Sequence, residues 1–288
     1  MTAAAGVSRV GVVGLGTMGA GIAQVCVQAG IEIVGREMSE ELCDRARARI
    51  DHYLGRAVEK GRLTEGERAA ALARLTTTTE LGELAGCDLV IEAVVEELDV
   101  KRRLFRELEG VVGEDAVLAT NTSALSVTEI ARATERPRRV VGMHFFNPAP
   151  VLPLVEVVRT ELSAEEAVER AYALAERLGK EPIRCNDTPG FVVNRILIPL
   201  LNDCVRVLDE AGVSPEDLDK AMTRGVSWPI GPCALIDLIG VDVHVHASEA
   251  LHDALGEPRM APPERLVLMR DEGLLGRKSG RGFYVYER

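Results

Sequence analysis

The sequence predicts an α/β fold in which a doubly wound sheet is followed by a smaller, all-helical domain. Three observations carry that prediction. The first half alternates short β-rich runs with amphipathic helical stretches, an order that specifies a parallel sheet covered by helices on both faces. A cluster of turn residues, Asn186-Asp187-Thr188-Pro189-Gly190, then interrupts the alternation. Beyond it the β signals nearly vanish. The chain therefore divides into a first domain over residues 1–186 and a second over residues 187–288.

In chain order, strands are expected at Arg9–Val13, Ile31–Val34, Leu89–Val94, Val117–Thr120, Val140–His144, Leu154–Val158 and Pro182–Cys185. Each is a short run rich in Val, Ile and Leu, as a strand buried on both faces requires. Helical periodicity fills the intervals at Gly19–Ala29, Glu40–Lys60, Thr64–Arg74, Val100–Glu109, Val127–Ala133 and Ala164–Leu178. The four threonines at 76–79 are the one low-complexity tract. In the second half, Phe191–Ala211, Pro215–Thr223, Leu235–Leu255 (interrupted by Gly240) and Pro263–Glu272 read as helices. Ser214-Pro215-Glu216-Asp217 is a helix start, with Ser at the N-cap and Pro at the first helical position.

Composition narrows the function classes. A length of 288 residues suffices for two domains, and 47% hydrophobic with 27% charged residues is a globular balance. A net charge of −11 argues against electrostatic binding to nucleic acid or to an anionic membrane. It leaves an anionic cofactor possible, because helix N-termini hold phosphates. Cys26, Cys43, Cys87, Cys185, Cys204 and Cys233 are scattered without a CxxC pair, so they read as reduced core thiols, with no disulfide framework and no metal site. The N-terminal MTAAAGVSR lacks the order of a signal peptide, and no run nears the roughly 18 apolar residues of a membrane span. A cytoplasmic protein is the expectation.

Gly14-Leu15-Gly16-Thr17-Met18-Gly19 lies between the first strand and the first helix, the context in which GxGxxG binds a dinucleotide. Gly14 makes the tight turn, Gly16 lets a pyrophosphate approach the backbone, and Gly19 allows close helix–strand packing. The first domain is accordingly Rossmann-like. Glu37 follows the second strand, about 20 residues after the glycines, where an acid binds the ribose hydroxyls. Arg36 beside it would suit a 2′-phosphate, which Glu37 would repel, so NAD is favoured over NADP. A second constellation lies in Val141–Glu156, VGMHFFNPAPVLPLVE. His144 ends one apolar run and Glu156 interrupts the next, with a proline-punctuated reversal between them. Neither group is cheaply buried alone, and a carboxylate that fixes an imidazole makes a proton-transfer pair.

The glycine loop, Asn121-Thr122-Ser123, HFFNP and GFVVNR together, with the closing LGRKSGRGFYVY (Leu275–Tyr286), resemble the (S)-3-hydroxyacyl-CoA dehydrogenase family, bacterial 3-hydroxybutyryl-CoA dehydrogenases in particular. The resemblance spans nearly the whole chain. It implies that His144 is the general base, Glu156 its orienting carboxylate, Ser123 the hydroxyl on the reacting oxygen, and Asn194 the amide that positions substrate. On the cofactor side it implies contacts from Glu96, Lys101, Ser123, Asn147 and Lys278. It further implies a short-chain acyl-CoA substrate and a homodimer joined through the helical domain.

Three departures stand out. Only one serine follows Asn-Thr, since Ala124 succeeds Ser123; the cofactor acid is Glu37 where Asp is common; and the helix after the second strand offers Arg45, Arg47 and Arg49 where family members place Ser and Lys toward CoA. A hydroxyacyl group carried on acyl carrier protein is therefore an alternative substrate, and a free hydroxy acid or sugar acid a second. A non-catalytic dinucleotide-binding protein is a third reading. His52, His244, His246 and His252 read as structural, and Trp228 as a loop-packing residue.

Overall fold

The computed structural model describes residues 6–287, which separate into two units between Thr188 and Pro189. In the first unit, β1 (Arg9–Val13), α1 (Thr17–Gln28), β2 (Glu32–Arg36), α2 (Glu40–Glu59), α3 (Glu65–Ala73) and β3 (Leu75–Thr78) lead to β4 (Leu89–Glu92). There follow α4 (Leu98–Val111), β5 (Val117–Thr120), α5 (Val127–Ala131), β6 (Val140–Phe145), β7 (Leu154–Arg159), α6 (Glu165–Arg177) and β8 (Glu181–Asn186). The strands form one sheet in the order β3-β2-β1-β4-β5-β6-β7-β8.

The central strands β4, β5 and β6 are buried along their whole length, which accounts for their largely apolar sequences, with Glu92, Thr120 and His144 as polar residues near their carboxyl ends. At the edge, β8 has no fully buried residue and tolerates Pro182, as a strand with one unpaired side can. Side-chain caps fix the helix starts. Ser39 accepts from the Leu42 amide at α2, and Thr64 with Glu67 forms a reciprocal capping box at α3.

Two features differ from the sequence expectation. First, the sheet is not wholly parallel: β7 runs antiparallel to β6, whereas β1 through β6 pair in parallel and β8 is parallel to β7. Only residues 146–153 join β6 to β7, and a parallel return needs a crossover of about a dozen residues or more. Second, β3 lies in the threonine tract taken for low complexity. Thr76, Thr77 and Thr78 are β-branched and pair in parallel with β2, but as an edge strand β3 buries only Leu75 and shows no apolar alternation.

The second unit comprises α7 (Val193–Ala211), α8 (Pro215–Gly225), α9 (Pro232–Ile239), α10 (Val241–Leu255) and α11 (Glu264–Asp271). The expected interruption at Gly240 separates α9 from α10; its φ of +104° is one that a side chain would strain. Leu201, Val205, Ile236, Val241, Val245 and Leu266 make the apolar core, with Trp228 packed against it. The C-terminal segment is tied down by Asp237, which accepts from the Phe283 and Tyr284 amides and the Tyr286 hydroxyl, each at 3.0 Å. Among the described residues, no helix is long and apolar enough to cross a membrane.

Candidate active site

Strands β1, β4, β5 and β6 run parallel, so their carboxyl ends open onto one edge of the sheet. The chain leaves β1 outward through β2 and β3, then returns to β4 on the other side. That reversal creates the crevice in which open α/β sheets bind ligands. Gly14, at φ +85°, turns the chain out of β1; a Cβ there would lie 2.8 Å from the Ala93 carbonyl oxygen. At Gly19 a Cβ would fall 1.8 Å from the Gly14 carbonyl oxygen, so α1 reaches the loop only because residue 19 has no side chain. Gly16 is different: nothing lies within 4 Å of a Cβ built there. It caps α1 without a side-chain hydrogen bond, and Gly16 and Thr17 are exposed while Leu15 is buried and Met18 half-buried. The open space over a helix N-terminus fits a diphosphate. Glu37, just past β2, accepts from the Leu15 amide at 2.5 Å and the Met38 amide at 3.1 Å, which brings its carboxylate to the glycine loop. Arg36 instead donates its Nε to the Thr79 carbonyl at 3.2 Å, beyond β3.

A buried charge cluster underlies the loops after β4 and β5. Lys101, 1% exposed, donates Nζ to Glu92 Oε1 at 2.6 Å and lies 3.2 Å from Glu96 Oε2. Glu96 Oε1 accepts from the Thr122 hydroxyl at 2.5 Å and from the amides of Ser123 at 2.8 Å and Ala124 at 3.2 Å. Burial works against the Glu96 carboxylate, but the Lys101 ammonium and these hydrogen bonds hold its pKa below the usual range. The structure thus places Glu96, Lys101 and Ser123 together, with Lys101 behind Glu96 rather than open to the crevice. Glu92, a wholly buried acid at the end of β4, is a member of this cluster that sequence reasoning missed. The signal was present: an acid closing the apolar run LVIE.

His144 and Glu156 are directly opposed across the antiparallel β6–β7 ladder. His144 Nδ1 lies 2.7 Å from Glu156 Oε2, with the histidine 5% and the glutamate 0% exposed. A carboxylate can only accept, so Nδ1 carries the hydrogen and the basic lone pair is on Nε2. The Asn121 side chain accepts from the Phe145 amide at 2.9 Å, which ties the Ser123 loop to the end of β6. Asn147 follows on the exposed surface of the reversal. That reversal is held by Lys180, whose Nζ donates to the carbonyls of Ala149 at 2.5 Å and Leu152 at 2.9 Å. The two remaining expected residues belong to the helical unit. Asn194 lies in the first turn of α7, and Lys278 donates to Asp242 at 2.6 Å.

Comparison with known proteins then assigns the family. A model described as 3-hydroxyacyl-CoA dehydrogenase, NAD binding domain, matches residues 9–188, and one described as 3-hydroxyacyl-CoA dehydrogenase, C-terminal domain, matches residues 190–286. The chain belongs to the 3-hydroxyacyl-CoA dehydrogenase family. It is 48% identical over 282 residues to a 3-hydroxybutyryl-CoA dehydrogenase of Mycobacterium tuberculosis, covering 97% of this chain and 99% of that one. A probable 3-hydroxybutyryl-CoA dehydrogenase of Deinococcus radiodurans is 44% identical over 278 residues, covering 96% and 100%. The crystal structure of (S)-3-hydroxybutyryl-CoA dehydrogenase PaaH1 from Ralstonia eutropha superposes with a TM-score of 0.94 at 42% identity, covering 98% of this chain and 100% of that one. As a 3-hydroxyacyl-CoA dehydrogenase, the protein is an NAD-dependent oxidoreductase. The glycine loop, the open cap at Gly16 and Glu37 are the parts of its first unit that fit that cofactor.

Proposed function

We propose that the protein interconverts (S)-3-hydroxybutyryl-CoA and acetoacetyl-CoA, with short acyl chains preferred. The observation that carries this reading is the His144–Glu156 dyad on the sheet edge that also bears the glycine loop. NAD supplies the hydride acceptor in oxidation and NADH the hydride donor in reduction. Gly14–Gly19 and Glu37 hold the dinucleotide, and Glu96, Asn147 and Lys278 complete its surroundings, with Lys101 acting through Glu96. His144 Nε2 takes the hydroxyl proton of the substrate, and Glu156 supports the imidazolium that results. In the reverse direction His144 returns that proton to the ketone oxygen. The Ser123 hydroxyl donates a hydrogen bond to the reacting oxygen, and Asn194 orients the acyl group.

CoA is favoured over acyl carrier protein because the names of the relatives specify CoA esters. On α2, Arg45, Arg47 and Arg49 are all exposed, with Arg45 paired to Glu41 and Arg47 bonded to the Leu75 carbonyl. A steady-state panel decides the question: acetoacetyl-CoA, longer 3-ketoacyl-CoA esters, carrier-protein thioesters and free keto acids, each with NADH and NADPH. The highest kcat/KM is expected for acetoacetyl-CoA with NADH, and a preference for carrier-bound substrate would overturn the assignment. We further propose a homodimer formed through the helical unit. That unit exposes Ile196 (63%), Leu238 (53%) and Leu268 (54%), apolar surface of the kind that subunit interfaces cover. Light scattering should give twice the 31.1 kDa chain mass, and Ile196→Glu should shift it toward the monomer.

A further inference from the structure

Glu92 touches neither the glycine loop nor the dyad, yet every part of its carboxylate is committed. Oε1 accepts from Lys101 Nζ at 2.6 Å and from the Val94 amide at 2.7 Å, and Oε2 accepts from the Thr120 hydroxyl at 2.7 Å. It therefore joins the end of β4, the end of β5 and the first turn of α4 at one buried point. Among the described residues Lys101 is the one cation paired with these acids, and Glu92 and Glu96 share it unequally, at 2.6 and 3.2 Å. One carboxylate would neutralise the ammonium. Replacing buried ionic groups with apolar ones is often neutral or stabilising, so a second buried acid is not explained by stability alone. With Glu92 holding the ammonium, Glu96 is only partly drawn to it. Its Oε1 stays on the Thr122 hydroxyl and the Ser123 and Ala124 amides.

We propose that Glu92 is a positioning residue: by holding the Lys101 ammonium it keeps Glu96 against the Thr122–Ala124 backbone and so sets the place of the Ser123 hydroxyl. The inference rests on the reading that Ser123 hydrogen-bonds the reacting oxygen. It adds a residue that reaches the substrate only through three others, Lys101, Glu96 and Ser123. Without the charge at position 92, Glu96 becomes the sole counter-ion of Lys101. The ammonium then draws it off the amides, and the loop carrying Ser123 loosens.

Glu92→Gln tests this, since it keeps the volume and can still bond Thr120 and Val94 while removing the charge. In the cofactor-free protein, amide hydrogen exchange in a peptide covering residues 122–125 should quicken about 10-fold or more, with α10 unaffected. With acetoacetyl-CoA and NADH, kcat should fall about 10-fold or more, because small misplacements of a reacting group are costly. In a Ser123→Ala background the same substitution should cost less than about twofold in kcat, since both act through one hydroxyl. Unchanged exchange at 122–125, or kcat losses that multiply in the double variant, would overturn the proposal. Should Glu92→Gln not fold, Glu92→Gln/Lys101→Met removes the ammonium that would draw Glu96 away, so exchange at 122–125 should stay near the wild-type rate, and quickened exchange in that variant would overturn the proposal. The exchange measurement needs no turnover, so it decides the role of Glu92 even if the wild-type protein rejects every 3-ketoacyl-CoA.

Discussion

At His144 the sheet register fixes the orientation of the imidazole. The ring is opposed to Glu156 within a ladder rather than hung from a loop, so its tautomer follows from the pairing of β6 with β7. His144→Gln should lower kcat by about 10²–10⁴, the usual worth of a general acid or base, with NADH affinity, read by fluorescence titration, nearly intact. Glu156→Gln keeps an acceptor for Nδ1–H but removes the charge that supports the imidazolium, so kcat should fall by about 10² or more. Full activity in either variant would remove the dyad from the mechanism. Both residues were legible in the sequence because each is a polar group in an apolar run, where burial without a partner is costly. Glu92 carries the same signal and was overlooked. Its partner Lys101 was named only as a cofactor contact that the resemblance implies, and it opens the run Lys101-Arg102-Arg103, whose local pattern does not say which cation is buried. Only the packing of α4 reveals that the first of them turns inward to 1% exposure.

At the scale of elements, the β1–α1 junction makes separable demands on its glycines. At Gly19 a side chain would strike the Gly14 carbonyl at 1.8 Å, so Gly19→Ala must displace α1. A loss of about 1–3 kcal/mol in unfolding free energy is expected, the range for overpacking a tight contact, together with weakened NADH binding. At Gly16 a methyl group meets open space, so Gly16→Ala should leave the denaturation midpoint nearly unchanged. Its NADH dissociation constant should nonetheless rise about 10-fold or more, equivalent to about 1.4 kcal/mol. Equal NADH affinity in Gly16→Ala and wild type would show that no phosphate approaches that backbone. The strand–loop–helix pattern was legible because periodicity and glycine spacing are local. The direction of β7 and the existence of β3 were not, because pairing partners and edge position decide them. A threonine tract acquires a role only when β2 is already there to pair with it.

For the whole molecule, the change from alternating β and α signals to helices alone made the two-part organisation legible, but the polar interior of the helical unit was not. His244 read as structural, and the structure gives it a buried place with a pH dependence attached. Asn202 donates Nδ2 to the carbonyls of Met260 at 3.1 Å and Ala261 at 3.3 Å. Its Oδ1 is therefore the acceptor for His244 Nε2 at 2.8 Å, and that nitrogen carries the hydrogen. Nδ1 is buried and meets no partner among the described residues. Protonation would put a charge and an unsatisfied N–H into the core, and burial pushes the imidazole pKa down from 6.5 to about 4. Between those values the unfolded chain binds a proton that the folded protein refuses. Stability from this group is thus complete above the unfolded value and declines as pH falls toward the folded one. From pH 7 to pH 5 the loss should be about 2 kcal/mol. His244→Gln retains a donor for Asn202 and cannot titrate, so its decline over the same interval should be smaller by about that amount. Urea unfolding followed by the fluorescence of Trp228, the single tryptophan of the chain and part of the helical unit, measures the difference directly. Equal declines in the two proteins would mean that His244 is already protonated, or already exposed, in the folded state.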